Sequence, residues 1–328
     1  MLNPKAYLNN NVFEKDVEQV PTRNGYGEGL VAAGEQNSDV VVLCADLTES
    51  TRSEYFQKKF PDRFVEMGVA EQNLAAVAAG MALAGKVPFI ASYAAFSPGR
   101  NNEQIRTTIC LNEANVKIAG AHSGISVGAD GATHQALEDI ALMRVLPNMR
   151  VISPCDSIET KKATIAAAQI EGPVYIRLAR AATPIMTTEK TPFSVGKAEV
   201  FWQGNDVTII ACGPLLYEAL LAAKLLEKQG VSAEVVNNHT IKPLDSRTIL
   251  ASLKKTKALV TVEEHQVAGG MGSSVVEMLA KNFPVPVEMI GMQDSFGESG
   301  EPDELLKAFG LTRTDIARAA KKVLKRKQ

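Results

Sequence analysis

The chain has few of the residues that mark specialised classes of protein. Its 328 residues include four cysteines, four histidines and one tryptophan, and its formal net charge is −2. This near-balance gives no electrostatic reason to expect a nucleic acid or an anionic membrane as a partner. The cysteines lack metal-ligand spacing, which predicts reduced, mostly buried thiols and no disulfide framework. They are Cys44, Cys110, Cys155 and Cys212.

Long apolar runs are also missing. Residues 1–20 carry several charges and lack the apolar core of a signal peptide. The longest apolar run is too short to span a bilayer and ends at Lys86. We therefore expect a cytoplasmic protein without a membrane partner. With 45% hydrophobic and 22% charged residues, the chain has the composition of a globular protein and the length of about two domains.

Short Val- and Ile-rich segments alternate with helical segments from residue 22 onward. Continuous apolar strands separated by helices predict an α/β fold with parallel sheets covered on both faces. We expect an N-terminal arm (1–21), a first domain (22–181), a polar linker without a pattern (182–197) and a smaller second α/β domain (198–328). The predicted strands are Val40–Cys44, Arg63–Met67, Val87–Ala91, Val116–Gly120, Arg150–Ser153, Val174–Leu178, Val207–Ala211, Ala233–Val236, Ala258–Val262 and Val287–Ile290. The predicted helices include His134–Val145 and Ser157–Gln169.

Glu71 stands between a predicted strand and a run of small apolar residues, Leu74–Ala84. A strand that feeds a helix places Glu71 near the first helical turn, at the carboxyl edge of the sheet, where open α/β sheets bind ligands. The alternative is an ordinary acid that complements the helix dipole.

A glycine-rich loop, Ala121–Gln135, follows a predicted strand and carries His122, Asp130 and His134. Glycine lets the backbone approach a ligand closely, and the polar ends of these side chains could converge on one ligand. The alternative is a long surface loop with incidental histidines.

Aromatic and basic side chains lie near other strand and helix ends. Tyr93 and Phe96 could present ring faces to a flat heterocycle, although such residues alone are more often core. A serine with arginine forks suits a phosphate group. The candidates for that role are Arg23, Ser50, Arg177 and Arg180.

Taken together, these motifs resemble those of transketolases, in the same order and with similar spacing. The resemblance covers about Thr22 to Leu324 and corresponds to the C-terminal half of that family, a pyrimidine-binding domain followed by a C-terminal domain. The motifs are Ala70–Asn73, Ser92–Phe96, Gly128–Gln135, Leu146–Asn148 and Ile241–Asp245.

The resemblance implies an enzyme that uses thiamine diphosphate. Glu71 matches the catalytic glutamate that bonds the ring nitrogen N1′ of the cofactor's aminopyrimidine, so the protein supplies a placed proton and the cofactor supplies the chemistry. Phe96 matches the aromatic side chain that stacks on the pyrimidine, with Tyr93 beside it. Asp46 lies where the family has an acid near the cofactor across the dimer interface.

The same resemblance implies two substrate-binding groups. His122, Asp130 and His134 match groups that bond the hydroxyls of the sugar. The residues that match the sugar-phosphate site are Arg23, Ser50 and Arg180. One departure is the segment Ser97–Gly99, which replaces a large side chain of some family members and leaves the far wall of the aromatic pocket unspecified.

The part of the family that binds the diphosphate is missing from this sequence. Transketolases hold it through Mg²⁺ with a Gly-Asp-Gly segment and a later Asn, whereas this chain has only Ala129-Asp-Gly131, inside the glycine-rich loop. We therefore expect no metal ligands in this chain. A separate N-terminal-half subunit is expected to hold Mg²⁺ and the diphosphate, in an α₂β₂ assembly with self-association of this chain.

Several functions are compatible with this pattern. The first is the transfer of a two-carbon ketol unit from a ketose phosphate to an aldose phosphate. The enzyme alternatives are a beta-type subunit of a 2-oxoacid dehydrogenase and a ketol transferase like deoxyxylulose phosphate synthase. A non-catalytic assembly subunit is the alternative from another class, and the polar set around Glu71 argues against it.

Overall fold

The structure is a computed structural model that describes residues 1–327. These residues form fourteen strands. The strands are β1 (Gln19–Pro21), β2 (Val40–Cys44), β3 (Phe64–Glu66), β4 (Val87–Tyr93), β5 (Lys117–Ala121), β6 (Arg150–Ile152), β7 (Val174–Arg177), β8 (Ala182–Pro184), β9 (Glu199–Trp202), β10 (Val207–Ala211), β11 (Ala233–Asn237), β12 (Thr240–Lys242), β13 (Leu259–Gln266) and β14 (Val287–Met292).

Helices connect most of these strands. They are α1 (Thr22–Gln36), α2 (Glu54–Lys59), α3 (Glu71–Leu83), α4 (Asn102–Gln104), α5 (Asp139–Arg144), α6 (Ser157–Ala168), α7 (Leu216–Glu227), α8 (Ser246–Thr256), α9 (Met271–Asn282), α10 (Pro302–Ala308) and α11 (Arg313–Leu324). The single turn α4 continues directly into a π-helical segment, Ile105–Cys110.

The first sheet has seven strands in the order β12-β6-β7-β5-β4-β2-β3. Its neighbours are parallel except β12, which pairs antiparallel with β6. Strand β2 is buried along its whole length, which explains its continuous apolar sequence. Strand β5 is also fully buried, although it begins with Lys117. Helices α1 and α6 pack against each other so closely that a Cβ on Gly25 would lie 1.8 Å from the carbonyl oxygen of Ser157.

The second sheet has five strands in the order β14-β13-β10-β11-β9, and only β9 runs antiparallel to its neighbour. Two domains of α/β type with mostly parallel sheets confirm the predicted fold class. The sequence did not predict β9 or β12. Strand β12 follows β11 of the second domain along the chain but lies at the edge of the first sheet, beside β6.

Two predicted segments differ from the structure. The helix predicted over His134–Val145 is wrong for its first turn, because α5 begins only at Asp139. Residues before it are held in turns, since the backbone N–H of Gln135 donates to the carbonyl of Gly131. The linker without a pattern is also wrong at its start, where β8 pairs antiparallel with β1.

The N-terminal arm packs on the second domain. The backbone N–H of Asn3 donates to the carbonyl of Phe201 at 2.9 Å, and the Asn3 amide donates to the carbonyl of Val200 at 2.7 Å. Leu8 and Val12 are buried in the core of the second domain. The arm therefore completes that core before the chain enters the first domain.

The four cysteines are free and buried, as predicted. Among the helices of residues 1–327, none combines the length and apolar composition needed to cross a membrane.

Candidate active site

Glu71 is the first residue of α3 and is only 2% exposed. The chain reaches it from β3 through a turn in which Gly68 has a φ of 68°, a value that favours glycine. A guanidinium nitrogen of Arg100, Nη1, lies 2.9 Å from its Oε2, and the side-chain amide of Asn101 donates to its backbone carbonyl. The carboxylate is therefore buried and held, unlike a solvated acid at a helix start.

Arg100 also packs over the ring of Phe96. Its guanidinium carbon lies 4.8 Å from the ring centroid of Phe96, within the range of a cation–π contact. Arg100 thus contacts both Glu71 and Phe96. Arg100 was not predicted from the sequence, in which the available signal was its position directly after the segment Ser97–Gly99.

The glycine-rich loop meets the end of β4 through its histidines. Tyr93 stacks on His122 with ring centroids 3.9 Å apart, and His134 lies edge-on to Phe96 at 5.3 Å. Tyr93 and Phe96 are themselves 6.0 Å apart. Asp130 is exposed, and the structure shows no hydrogen bond within residues 1–327 from its carboxylate to either histidine. The two histidines are brought together as expected, and Asp130 lies apart from that contact.

A positively charged cluster borders His122. Arg23 donates from Nη1 to the carbonyl of Ser50 at 2.9 Å and lies 3.3 Å from His122 Nε2. Arg180 donates to the carbonyl of Val127 in the glycine-rich loop at 3.0 Å. Burial, followed by the charges of Arg52 and Arg180, lowers the pKa of Arg23 below its ordinary value. Such crowding of positive charge suits a bound anion.

The proton position on His122 follows from this contact. Burial, and then the charges of Arg23 and Arg180, lower the pKa of His122 to about 3, so the imidazole is neutral at pH 7. A guanidinium only donates, so Nε2 must accept and Nδ1 must carry the proton. Nδ1 is buried and has no hydrogen-bond partner within residues 1–327. His122 can therefore donate one hydrogen bond to a ligand.

Arg52 lies in the same region and was not predicted from the sequence either. Its Nε donates to Asn24 at 2.9 Å and its Nη1 to the carbonyl of Glu49 at 3.0 Å. Its φ of 65° lies in the left-handed region, which is uncommon for a residue other than glycine. Its position two residues after Ser50 was the signal available.

Arg177 does not belong to the positively charged cluster. Its Nε lies 2.8 Å from Asp139 Oδ2, and its Nη2 donates to the carbonyl of Glu264 at 2.8 Å. The Tyr175 hydroxyl also donates to Asp139 Oδ2. Burial alone would raise the pKa of Asp139, but Arg177 lowers it below its ordinary value. The suggested phosphate role for Arg177 is wrong, because its guanidinium is buried in an ion pair.

Asp46 lies just after β2 and is exposed. Its backbone N–H donates to Glu66 Oε1 at 2.8 Å, and Thr48 donates to Glu66 Oε2 at 2.7 Å. Glu66 thereby fixes the loop that carries Asp46. The contact of Asp46 with a cofactor across a subunit interface stays a prediction.

Comparison with known proteins agrees with this geometry. Residues 18–186 match the family model of the transketolase pyrimidine binding domain, and residues 196–316 match that of the transketolase C-terminal domain. A putative transketolase C-terminal section from Methanocaldococcus jannaschii is 45% identical over 308 residues, which cover 93% of this chain and 96% of that protein. The chain belongs to the transketolase family.

Two further relatives are separate transketolase subunits. A 6-deoxy-6-sulfo-D-fructose transketolase subunit from a Clostridium species is 41% identical, with 97% of this chain and 99% of that protein covered. A solved structure described as a split gene transketolase, inactive beta4 tetramer, is 47% identical with a TM-score of 0.89, and the match covers 94% of this chain and 100% of that one.

The residues of this transketolase chain fit one part of thiamine diphosphate. A buried carboxylate beside an aromatic ring suits an aminopyrimidine, which offers a ring nitrogen and a flat face. Within residues 1–327, no group of three or more His, Cys, Asp or Glu side chains is arranged to hold a metal ion. The described residues around Glu71 and Phe96 therefore fit the pyrimidine part of the cofactor.

Proposed function

We propose that this chain is the C-terminal-half subunit of a two-subunit transketolase. With thiamine diphosphate, the enzyme transfers a two-carbon ketol unit from a ketose phosphate to an aldose phosphate. The observation that carries this proposal is the placement of buried Glu71, the ring of Phe96 and the positively charged cluster at one edge of the first sheet.

Glu71 and Phe96 would hold the aminopyrimidine. Glu71 bonds and protonates the ring nitrogen, and Phe96 stacks on the ring, with Tyr93 beside it. When bound, thiamine diphosphate supplies a nucleophilic carbon and an electron sink for the ketol unit. Burial of Glu71 would keep water from competing for its contact with the ring nitrogen.

The other polar side chains would bind the sugar. Neutral His122 donates from Nδ1 to a sugar hydroxyl, and His134 and Asp130 extend this set along the glycine-rich loop. Arg23 and Arg180, with Ser50, bind the phosphate, and Arg52 adds a third guanidinium. A phosphate monoester carries nearly two negative charges at pH 7, which this crowding of positive charge favours.

A partner subunit would bind the diphosphate and Mg²⁺, because the sequence of this chain lacks the Gly-Asp-Gly segment that the family uses for them. Self-association of this chain is expected along α3, whose outward side has small exposed residues such as Ala76 and Gly80, beside exposed Leu83. Two copies of each subunit would then form an α₂β₂ assembly with active sites between subunits. The description of a relative as an inactive tetramer of beta chains supports the need for a partner.

Reconstitution tests this function. The chain is mixed with a separately produced N-terminal-half transketolase subunit, thiamine diphosphate and Mg²⁺, and ketol transfer from xylulose 5-phosphate to ribose 5-phosphate is measured. A sulfonated ketose donor is assayed in parallel, because one relative is named for such a sugar. Pyruvate serves as the control substrate for the oxoacid dehydrogenase and deoxyxylulose phosphate synthase alternatives.

Ketol transfer that requires both subunits would support the proposal. Pyruvate consumption without ketol transfer would overturn it in favour of the alternatives. Tight Mg²⁺-dependent cofactor binding and turnover by this chain alone would contradict the two-subunit arrangement.

A further inference from the structure

One side of the glycine-rich loop contacts the second domain. The backbone N–H of Ser126 donates to Glu264 Oε1 of β13 at 2.5 Å. The segment between β14 and α10, residues 293–301, covers the loop from the other direction, and α10 packs on residues 125–127. One side of the loop therefore carries His122 and His134 against the aromatic residues of the first domain, and the other side contacts the second domain.

Gln135 connects the loop to residues 293–301. Its side-chain amide nitrogen donates to the carbonyl of Glu298 at 2.9 Å and to the carbonyl of Ile125 at 3.1 Å, with the carbonyl of Gly128 at 3.5 Å. Gln135 is only 4% exposed. The buried amide of Gln135, the last residue of the loop, thus joins the Ile125 and Gly128 carbonyls of the loop to the Glu298 carbonyl of the second domain.

The packing around this amide leaves no room for an additional atom. A Cβ on Gly297 would lie 2.1 Å from Gln135 Oε1 and 2.3 Å from Ile125 Cδ1, so only glycine fits there without a shift. Elsewhere in the glycine-rich loop, a Cβ on Gly131 would lie 2.6 Å from Ser299 Oγ. The position of the loop is therefore tied to the position of residues 293–301.

We propose that Gln135 is a positioning residue for sugar binding. Through the bond to Glu298, the second domain sets the position of the glycine-rich loop and hence of His122 and His134. The second domain would then govern sugar affinity, although the candidate sugar contacts all lie in the first domain. This inference rests on the proposed function of the loop, and part of its test does not depend on activity.

The test uses Gln135→Met in the reconstituted two-subunit enzyme. Methionine has nearly the same length but donates no hydrogen bond, so the three carbonyls lose their shared donor. The control is Gln203→Met. The Gln203 amide, in the second domain, donates to Asn3 Oδ1 at 3.3 Å, so this variant loses an amide hydrogen bond that involves neither the loop nor residues 293–301.

Gln135→Met should raise KM for the donor sugar about 10-fold or more, because small misplacements of binding groups are costly. Thiamine diphosphate affinity should stay within about twofold of wild type, since the cofactor's candidate contacts lie outside the loop. Amide hydrogen exchange of residues 123–134 in the isolated chain should accelerate. Gln203→Met should leave KM and the exchange of those amides unchanged.

Unchanged exchange of residues 123–134 in Gln135→Met would overturn the inference, as would unchanged KM in an active enzyme. If Gln135→Met fails to fold, Gly297→Ala is the second variant. The added methyl group, in residues 293–301, would displace the Gln135 amide and should likewise raise KM and accelerate the exchange. If wild-type enzyme transfers no ketol unit, the proposed function fails. The exchange experiment then still decides whether Gln135 couples the loop to the second domain.

Discussion

Glu71 is a carboxylate with little access to water and one cationic partner. Arg100, which provides that partner, is itself half exposed, so the pair is neither fully buried nor a surface ion pair. An arrangement of this kind keeps a carboxylate in place without enclosing it.

Replacing Glu71 with Gln should nearly abolish ketol transfer by the reconstituted enzyme. The amide keeps the shape of the side chain but cannot deliver a proton, and loss of a positioned acid or base typically costs about 10²- to 10⁴-fold in rate. The measurement is kcat together with thermal unfolding of the isolated chain. Glu234→Gln is the matched control, because Glu234 is equally buried and pairs with Lys255 in the second domain. Equal activity of the Glu71 and Glu234 variants would exclude Glu71 from catalysis.

Among the elements, β7, α5 and β13 meet at a buried ion pair. Arg177 ends β7, Asp139 begins α5, and the carbonyl of Glu264 in β13 accepts from the same guanidinium. The pair therefore joins strands of both sheets. Removing one partner would leave an uncompensated charge in a site that excludes water.

Asp139→Asn should lower the free energy of unfolding by about 3 to 5 kcal/mol, as for other broken buried pairs. Urea unfolding followed by circular dichroism gives this value. The control is Asp39→Asn, which removes an exposed pair with Lys86 and should cost less than about 1 kcal/mol. Similar losses in the two variants would contradict a special role for the buried pair.

The contribution of Asp139 should also depend on pH. Because Arg177 holds the pKa of Asp139 below its ordinary value in the folded state, its stabilisation is present above the unfolded-state pKa of about 3.9. It is lost as pH falls through the lower folded-state pKa. The difference in unfolding free energy between wild type and Asp139→Asn should therefore shrink below about pH 4.

The central elements were predictable because their sequence pattern is local. Strand β2 is a continuous apolar run, β7 and β10 are mostly apolar, and the start of α3 at Glu71 follows from the strand and helix on either side. Strands β9 and β12 were missed because short edge strands have little apolar pattern of their own. Strand β12 exists through its pairing with β6, which lies far away in the sequence.

The candidate site was predictable only in part for a similar reason. Tyr93, Phe96, His122 and His134 stand in a recognisable motif order, and the structure brings their rings together. Arg100 reaches Glu71 by turning back after β4, a geometry that spacing does not encode. The Glu264 carboxylate and the Glu298 carbonyl that hold the glycine-rich loop come from the second domain, and no local pattern reports them.

In the whole molecule, the N-terminal arm packs on the second domain, although it directly precedes the first domain in sequence. Phe13 packs edge-on against Trp202 with ring centroids 5.8 Å apart, and Val12 is buried beside them. The chain then crosses to the first domain through β1, which pairs with β8 near the connection between the domains. The arm thus contributes to the stability of both.

Leu8→Ala should lower the free energy of unfolding by about 2 to 3 kcal/mol, since it removes a largely buried side chain from the core of the second domain. Tyr7→Ala is the matched control, because the neighbouring side chain is largely exposed and should change stability by less than about 0.5 kcal/mol. Urea unfolding of both variants checks this. Equal effects would show that the arm does not pack as described.

Strand β12 has a practical consequence for protein engineering. A chimaera that took everything after the linker from a relative would also exchange the edge strand of the first sheet, where Thr240 pairs with Ile152. Donor and recipient would then have to match across that pairing as well as across the domain boundary. Crossover points on either side of residues 240–242 would keep the native edge, and such hybrids should fold more readily than those joined at the linker alone.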